Sequence, residues 1–202
     1  LNDYGLLILY QLPLNSSDAA VFKNQLNATN IAVWYILGAQ SNLSLFNQFQ
    51  KQINISGNTS TIQETFSVVN PGFTAFDLDP VMVKQIENFD PLSAPLGKVL
   101  ISGNSSAVLK QRIGKVNTDY PQLFFMQDDG RKTGFLIGEG LWRWKLSEAG
   151  EAQPGSNVFN SLIPKTVQYL SVKDDKRKFK VYATKNTFEE NENIVLNAVL
   201  YN

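Results

Sequence analysis

The sequence predicts an α/β fold, and three observations carry that expectation. Two continuous apolar runs, Leu6–Tyr10 and Ile31–Leu37, flank a segment with helical spacing; extended segments dominate from Ala107 onward; and Asp128-Asp129-Gly130 marks a tight hairpin between two of them. Strand, helix and strand within about thirty residues make the right-handed crossover unit of a parallel sheet.

Taken in order, Leu6–Tyr10 reads as a strand buried on both faces and closed by Gln11-Leu12-Pro13. Ser16-Ser17-Asp18 offers N-caps for a helix to about Asn27, with Ala20, Val21, Phe22 and Leu26 on its inner face. The buried strand Ile31–Leu37 stops at Gly38, and Leu43, Leu45, Phe46, Phe49 and Ile53 then recur at helical spacing. The stretch from Gly57 to Phe76 reads as short strands, alternating through Ile62, Glu64, Phe66 and Val68. Asp79-Pro80 supplies an N-cap and a first-turn proline for a short helix carrying Val83, Ile86 and Phe89 inward, which ends at Asp90-Pro91 and Pro95.

Three extended segments follow, at 107–116, 121–126 and 133–137, the last two joined through Gly130, whose freedom at positive φ suits the turn. Residues 157–171 read as an amphipathic helix with Val158, Phe159, Leu162, Ile163, Val167 and Leu170 inward, and Pro164 predicts a kink or a split. Residues 179–183 and 194–201 read as two strands around the acidic loop Glu189-Glu190-Asn191-Glu192. They either complete the sheet or begin a further β-rich module, and the second reading is preferred because the sequence stops in mid-strand. The expected division is a domain over residues 1–173 and the start of another over 174–202.

Composition excludes more chemistry than any motif supplies. The chain of 202 residues has no Cys and no His, which removes thiolate nucleophiles, Ser-His and Cys-His dyads, CxxC redox centres and His-based metal sites. Carboxylate, lysine, tyrosine, serine and backbone chemistry remain. Eighteen basic residues balance eighteen acidic ones, so no global field attracts nucleic acid or an anionic membrane. The mixed-sign run Lys173–Lys178 reads as a solvated turn. No apolar stretch reaches the roughly 18 residues a membrane span needs, and the start at Leu1-Asn2-Asp3-Tyr4 suggests a piece of a longer protein. Asn-x-Ser/Thr sequons begin at Asn15, Asn27, Asn42, Asn54, Asn58 and Asn104; in a chain rich in Asn and Ser they are read as chance matches.

The most distinctive local sequence is Gly138-Glu139-Gly140-Leu141-Trp142-Arg143-Trp144-Lys145, where a strand gives way to a helix. Ligands of open α/β sheets bind at the carboxyl ends of strands, so Glu139, flanked by Gly138 and Gly140, is a candidate general base or ligand anchor. The competing reading is structural, with the glycines serving the turn, Trp142 and Trp144 packing, and Arg143 pairing with an acid.

Gly38-Ala39-Gln40-Ser41-Asn42 has the shape of a nucleophile elbow, a buried strand turning sharply into a helix whose amides can form an oxyanion hole. Its apex, Gln40, cannot attack a carbonyl, and Ser41 has no histidine to activate it. Asp77-x-Asp79 lacks a third ligand at loop spacing and reads as capping, so no metal site is expected, and no phosphate-binding glycine pattern or cofactor motif is present.

Together the order of buried strand, Gln-Leu-Pro, helix and Val-Trp-Tyr-Ile-Leu-Gly, followed by Gly-Glu-Gly-Leu-Trp-Arg-Trp-Lys-Leu and Val-Gln-Tyr-Leu-Ser, resembles the glutamine-amidotransferase-like domain of large membrane-anchored proteins of Bacteroidetes-type bacteria. Relatives of those proteins carry von Willebrand factor A-like or aerotolerance-type modules. The resemblance spans about Leu1 to Lys173. It implies a flavodoxin-like, class I glutamine-amidotransferase-like open sheet with an appended hairpin meander and C-terminal strands, and a first strand upstream of Leu1. Class I amidotransferases use a Cys at the elbow and a His-x-Glu pair, whereas here Gln40 and Glu139 stand without either Cys or His.

The resemblance therefore implies the fold and argues against the reaction. The expectation is a non-catalytic binding or assembly module, extracytoplasmic in an envelope protein, partnered by neighbouring modules of the same chain or other envelope proteins. Its candidate cleft comprises Gly38, Gln40, Ser41, Gly138, Glu139, Gly140, Trp142 and Arg143. The alternative is a carboxylate-dependent hydrolase or sugar-processing enzyme with Glu139 as base and Asp77, Asp79 or Asp119 as partner, which needs two carboxyl groups about 5 to 10 Å apart.

Overall fold

Leu6–Tyr10 forms β1, Ser16–Asn27 forms α1 and Ala32–Leu37 forms β2, and β1 and β2 pair in parallel with Leu6 opposite Ala32. The computed structural model describes residues 1–150, 158–172, 179–183 and 196–200. It divides into two units, Leu1–Val172 and Lys173–Asn202. In the first, α2 (Leu43–Phe49), β3 (Ile53–Val69), α3 (Pro80–Asn88), β4 (Leu92–Ile101), β5 (Ser105–Ile113), β6 (Val116–Asp128), β7 (Arg131–Ile137), α4 (Leu141–Gly150) and α5 (Val158–Ser171) follow. In the second, β8 (Phe179–Ala183) and β9 (Leu196–Leu200) form an antiparallel pair. The charge run at 173–178, the acidic loop at 189–192 and the expected helix start at 157 lie outside the described residues.

The protein is a mixed α/β structure. Its main sheet has seven strands in the order β1-β2-β7-β6-β5-β3-β4. Only β1-β2 and β2-β7 are parallel; the other four pairings are antiparallel. On one face Leu9, Val33, Tyr35, Leu37, Phe135 and Ile137 pack with Leu26 of α1 and Phe46 of α2. On the other, Trp34, Ile36, Leu123, Phe125 and Leu136 pack with Met82 and Ile86 of α3, Trp144 of α4 and Leu162 of α5. The strand alternation that sends Val33 and Tyr35 one way and Trp34 and Ile36 the other divides one apolar run between two helical layers.

Several expectations change at the sheet margins. β1 is an edge strand, so the expected burial on both faces fails at Ile8 and Tyr10, which are about half exposed (48% and 53%). On α1 the cap is Asn15, whose side chain accepts from the Asp18 amide, and Val21 and Ala20 face outward while Leu26 and Phe22 face the sheet. α2 ends before Ile53 because Gln50 folds back: its Oε1 accepts from the Gln52 and Ile53 amides and its Nε2 donates to the Ile53 carbonyl, turning the chain into β3.

In place of the short strands expected between Gly57 and Phe76 there is one long strand, β3, which starts at Ile53, ends at Val69 and shifts register between Asn58 and Ile62. β4 occupies the region read as a helix end followed by breaks; Pro95 is tolerated because β4 is the other edge of the sheet. The cap at Asp79 forms as expected, its side chain accepting from the Met82 amide. Asp129 (φ 47°) and Gly130 (φ 78°) make the hairpin turn between Asp128 and Arg131. α5 runs through Pro164 without dividing.

Candidate functional site

The carboxyl ends of the three parallel elements converge on Glu139. β2 ends at Leu37 and β7 at Ile137, paired with one another, and Gly38 and Gly138 turn the chain immediately beyond them. The Gly138 amide donates to the Leu37 carbonyl at 2.8 Å, which fixes the two turns side by side. Gly138 (φ 137°) and Gly140 (φ 108°) hold a backbone conformation that side chains disfavour, bracketing Glu139. Glu139 itself bridges to Ser93 of β4 through two backbone hydrogen bonds, Ser93 N to Glu139 O and Glu139 N to Ser93 O, both 2.9 Å.

With its backbone held on one side, Glu139 projects its carboxylate toward the end of β1. Oε2 accepts from the Tyr10 hydroxyl at 2.9 Å and from Gln11 Nε2 at 2.6 Å, and Oε1 accepts from the Ala39 amide at 3.4 Å. Gln11, buried at a positive φ of 54°, completes the arrangement: its Oε1 accepts from the Gln40 amide at 2.6 Å, and its own amide donates to Ile36 O. Desolvation, together with the hydrogen bond and negative charge of Glu139, pushes the Tyr10 phenol above its ordinary value.

The structure thus brings Gly38, Ala39, Gln40 and Glu139 together as the sequence suggests, and adds Tyr10 and Gln11, which the sequence reading missed. Gln11 had a usable signal, a polar residue between the last apolar position of a strand and Leu12-Pro13. Tyr10 had none, since it reads as the end of an apolar run.

The remaining candidates have other duties. Buried Ser41 accepts from the Gly38 amide through Oγ (2.9 Å) and donates its own amide to the Gly38 carbonyl (3.1 Å), so it locks the turn. The amides expected to line an oxyanion hole are committed: Ala39 N to Glu139, Gln40 N to Gln11, and Leu45 N to the Asn42 side chain that caps α2. Gln40 points its side chain to solvent.

Among the described residues Arg143 pairs with no acid; it donates to the Pro91 carbonyl (3.0 Å) and to Ser93 Oγ (3.4 Å) and lies over the Trp142 ring at 5.5 Å. The two tryptophans separate: Trp144 is buried, stacked on Phe89 with Nε1 donating to the Asp90 carbonyl, whereas Trp142 is 62% exposed.

Among the described residues no carboxylate bonds the Glu139 side chain. Asp79 caps α3, and Asp119 hydrogen-bonds and ion-pairs with Lys110 at 2.9 Å, which holds its carboxyl below the usual carboxylate range. Among the described residues no group of three or more acidic side chains is placed to hold a metal ion, and no helix is long and apolar enough to cross a membrane.

The class defined by this architecture is a mixed α/β protein. No family model and no curated protein sequence matches the chain. Among solved structures, a cytoplasmic protein from Salmonella typhimurium aligns over 84% of this chain and 73% of its own, with a TM-score of 0.49 and 10% identity. A second cytoplasmic protein, from Salmonella typhimurium LT2, aligns over 84% of this chain and 70% of its own, with a TM-score of 0.40 and 9% identity.

Proposed function

We propose that residues 1–172 are a non-catalytic binding or assembly module, related to glutamine-amidotransferase-like domains, that engages a neighbouring module of a longer chain or a separate protein. The observation that carries the reading is the commitment of Glu139: its carboxylate is tied to Tyr10, Gln11 and the Ala39 amide, so it serves as the pin that joins the ends of β1, β2 and β7. A general base needs a free lone pair directed at a substrate proton and a second group to complete the chemistry. Here three donors of the fold itself already occupy most of the carboxylate's acceptor positions.

The finer kinship rests on β1-α1-β2 and the parallel pairing of β2 with β7, the part of the sheet that a flavodoxin-like or amidotransferase-like domain shares; the antiparallel strands β3 to β6 are then the appended part. For the binding role, Trp142 and Leu146 stand one helical turn apart on α4, 62% and 61% exposed. They form a short apolar stripe beside the Glu139 turn.

The test is a turnover survey of the chain with amide, ester and glycoside substrates, run beside Glu139→Gln. The reading expects no turnover that Glu139→Gln abolishes, together with a lower melting temperature for the variant. Turnover lost in Glu139→Gln while its melting temperature stays at the wild-type value makes Glu139 a catalytic carboxylate and overturns the reading.

A further inference from the structure

The opposite end of the same parallel strands carries a cavity of about 400 Å³, within the size range of small-molecule sites. Its floor is the start of β2 and β7, where Val33 pairs with Thr133 and Tyr35 follows on the same face. α1, the α2–β3 turn and the β6–β7 hairpin wall it in.

Two floor residues are polar and almost wholly buried, Tyr35 at 3% exposure and Thr133 at 2%. Both line the cavity, and neither hydroxyl hydrogen-bonds to any described residue. The Tyr35 ring is fixed among aromatic neighbours, stacked on Phe135 at 5.4 Å and edge-on to Phe46 and Phe49. Its position is set by packing, and its hydroxyl is left at the cavity floor.

Arg131 sits on the same face of β7, two residues before Thr133. Its Nη2 caps the end of α1 through the Leu26 and Thr29 carbonyls, which holds the guanidinium in place, while Nε is buried without a partner. Burial pushes the Tyr35 phenol up, and the Arg131 charge opposes that. Lys23 and Lys51 on the walls are balanced by Asp128 and Asp129 of the hairpin turn, all four exposed, so the net charge of the lining is that of Arg131. The groups at the floor are donors and the fixed charge there is positive.

We propose that this cavity binds the oxyanion of a small organic molecule, a carboxylate or a phosphate ester, with Tyr35 and Thr133 donating to it and Arg131 supplying the charge. The geometry is that of charge-assisted hydrogen bonding in a partly dry site, with the anion's oxygens meeting hydroxyls that have no hydrogen-bond partner among the described residues. The site is separate from the Glu139 turn and stands whether or not that turn is catalytic.

The test is a chemical-shift titration of the isotopically labelled chain with inorganic phosphate and, separately, with acetate, against sodium chloride at matched ionic strength. Saturable shifts are expected at Tyr35, Thr133 and the Arg131 Nε–H with at least one of the two anions, the tighter one identifying the oxyanion. The double variant Tyr35→Phe, Thr133→Val keeps side-chain volume and should weaken that binding by about tenfold or more. Non-saturating shifts with both anions, shifts that chloride reproduces, or unchanged affinity in the double variant each overturn the proposal. If the double variant does not fold, the wild-type Arg131 Nε–H response still decides, because a surface association leaves that buried proton unmoved.

Discussion

Gly38 lies against the side chain of Glu139 so closely that a methyl group on its α-carbon would stand 2.7 Å from Glu139 Cβ and 2.8 Å from both Cγ and Cδ. The obstructing atoms include the base of the glutamate side chain, whose backbone is held by Ser93, so the contact has little room to relax. Gly38→Ala is expected to destabilise the protein by about 1–3 kcal/mol through overpacking and to loosen the Glu139 hydrogen bonds. Urea denaturation of the variant measures the first effect. An unchanged midpoint means that Glu139 moves aside freely and is no pin.

Glu139→Gln keeps the shape but changes the donors and acceptors. The carboxylate takes three hydrogen bonds, two of them on Oε2. An amide has one acceptor oxygen, and its NH2 group would face either the Tyr10 and Gln11 donors or the Ala39 amide. The expected loss is about 1–3 kcal/mol, the cost of leaving a partly buried donor unmet. Tyr10→Phe, which removes a donor from the rim, should cost less. Equal and negligible losses in both would show that the cluster contributes nothing to stability.

What was legible in the sequence follows from the range of the interactions. The turn at Asp129-Gly130, the cap at Asp79 and the strand ends at Gly38 and Gly138 are local, and each was read from a few adjacent residues. Glu139 was legible as a candidate because glycines flank it. Its partners Tyr10 and Gln11 lie 129 and 128 positions away. They reach it only because β2 sits between β1 and β7, an order that no local pattern encodes. β4 was missed for a related reason: Pro95 looks like a break until the strand is placed at an edge; beyond it Gly97 lies so close to Gly57 of β3 that a Cβ would meet the Ser56 carbonyl at 2.6 Å. The cavity at Tyr35 was hidden because Tyr35 reads as one more apolar position in a buried strand.

The two tryptophans of α4 are two positions apart and experience different surroundings. Trp144 is 1% exposed, stacked on Phe89, with its indole N–H satisfied by the Asp90 carbonyl. Trp144→Ala should therefore cost about 3–5 kcal/mol. Trp142 is mostly exposed and touches Arg143 over its ring face. Trp142→Ala should cost under about 1 kcal/mol, the range of an exposed cation–π contact. Paired thermal and denaturant melts of the two variants check the contrast, and a large loss for Trp142 would remove it from the proposed contact stripe.

Alkaline pH tests the burial of the Tyr35 phenol. Burial raises its phenol well above the ordinary value of 10.0, with Arg131 opposing only in part. In the unfolded chain the same phenol ionises near pH ~10. Above that value the unfolded state binds fewer protons than the native state, so stability falls as pH rises. The contribution is complete below the unfolded value and is lost progressively as pH climbs toward the folded one. Tyr35→Phe removes this loss and, because the hydroxyl has no hydrogen-bond partner among the described residues, should leave stability near neutral pH almost unchanged. Denaturant midpoints measured from about pH 8 to about pH 11 should fall more steeply for the wild type than for Tyr35→Phe. Tyr10, raised for its own reasons beside Glu139, contributes with the same sign in both proteins and cancels in the comparison. Parallel curves would show that Tyr35 ionises alike in the folded and unfolded chain, and the buried hydroxyl at the cavity floor would then have to be in contact with water.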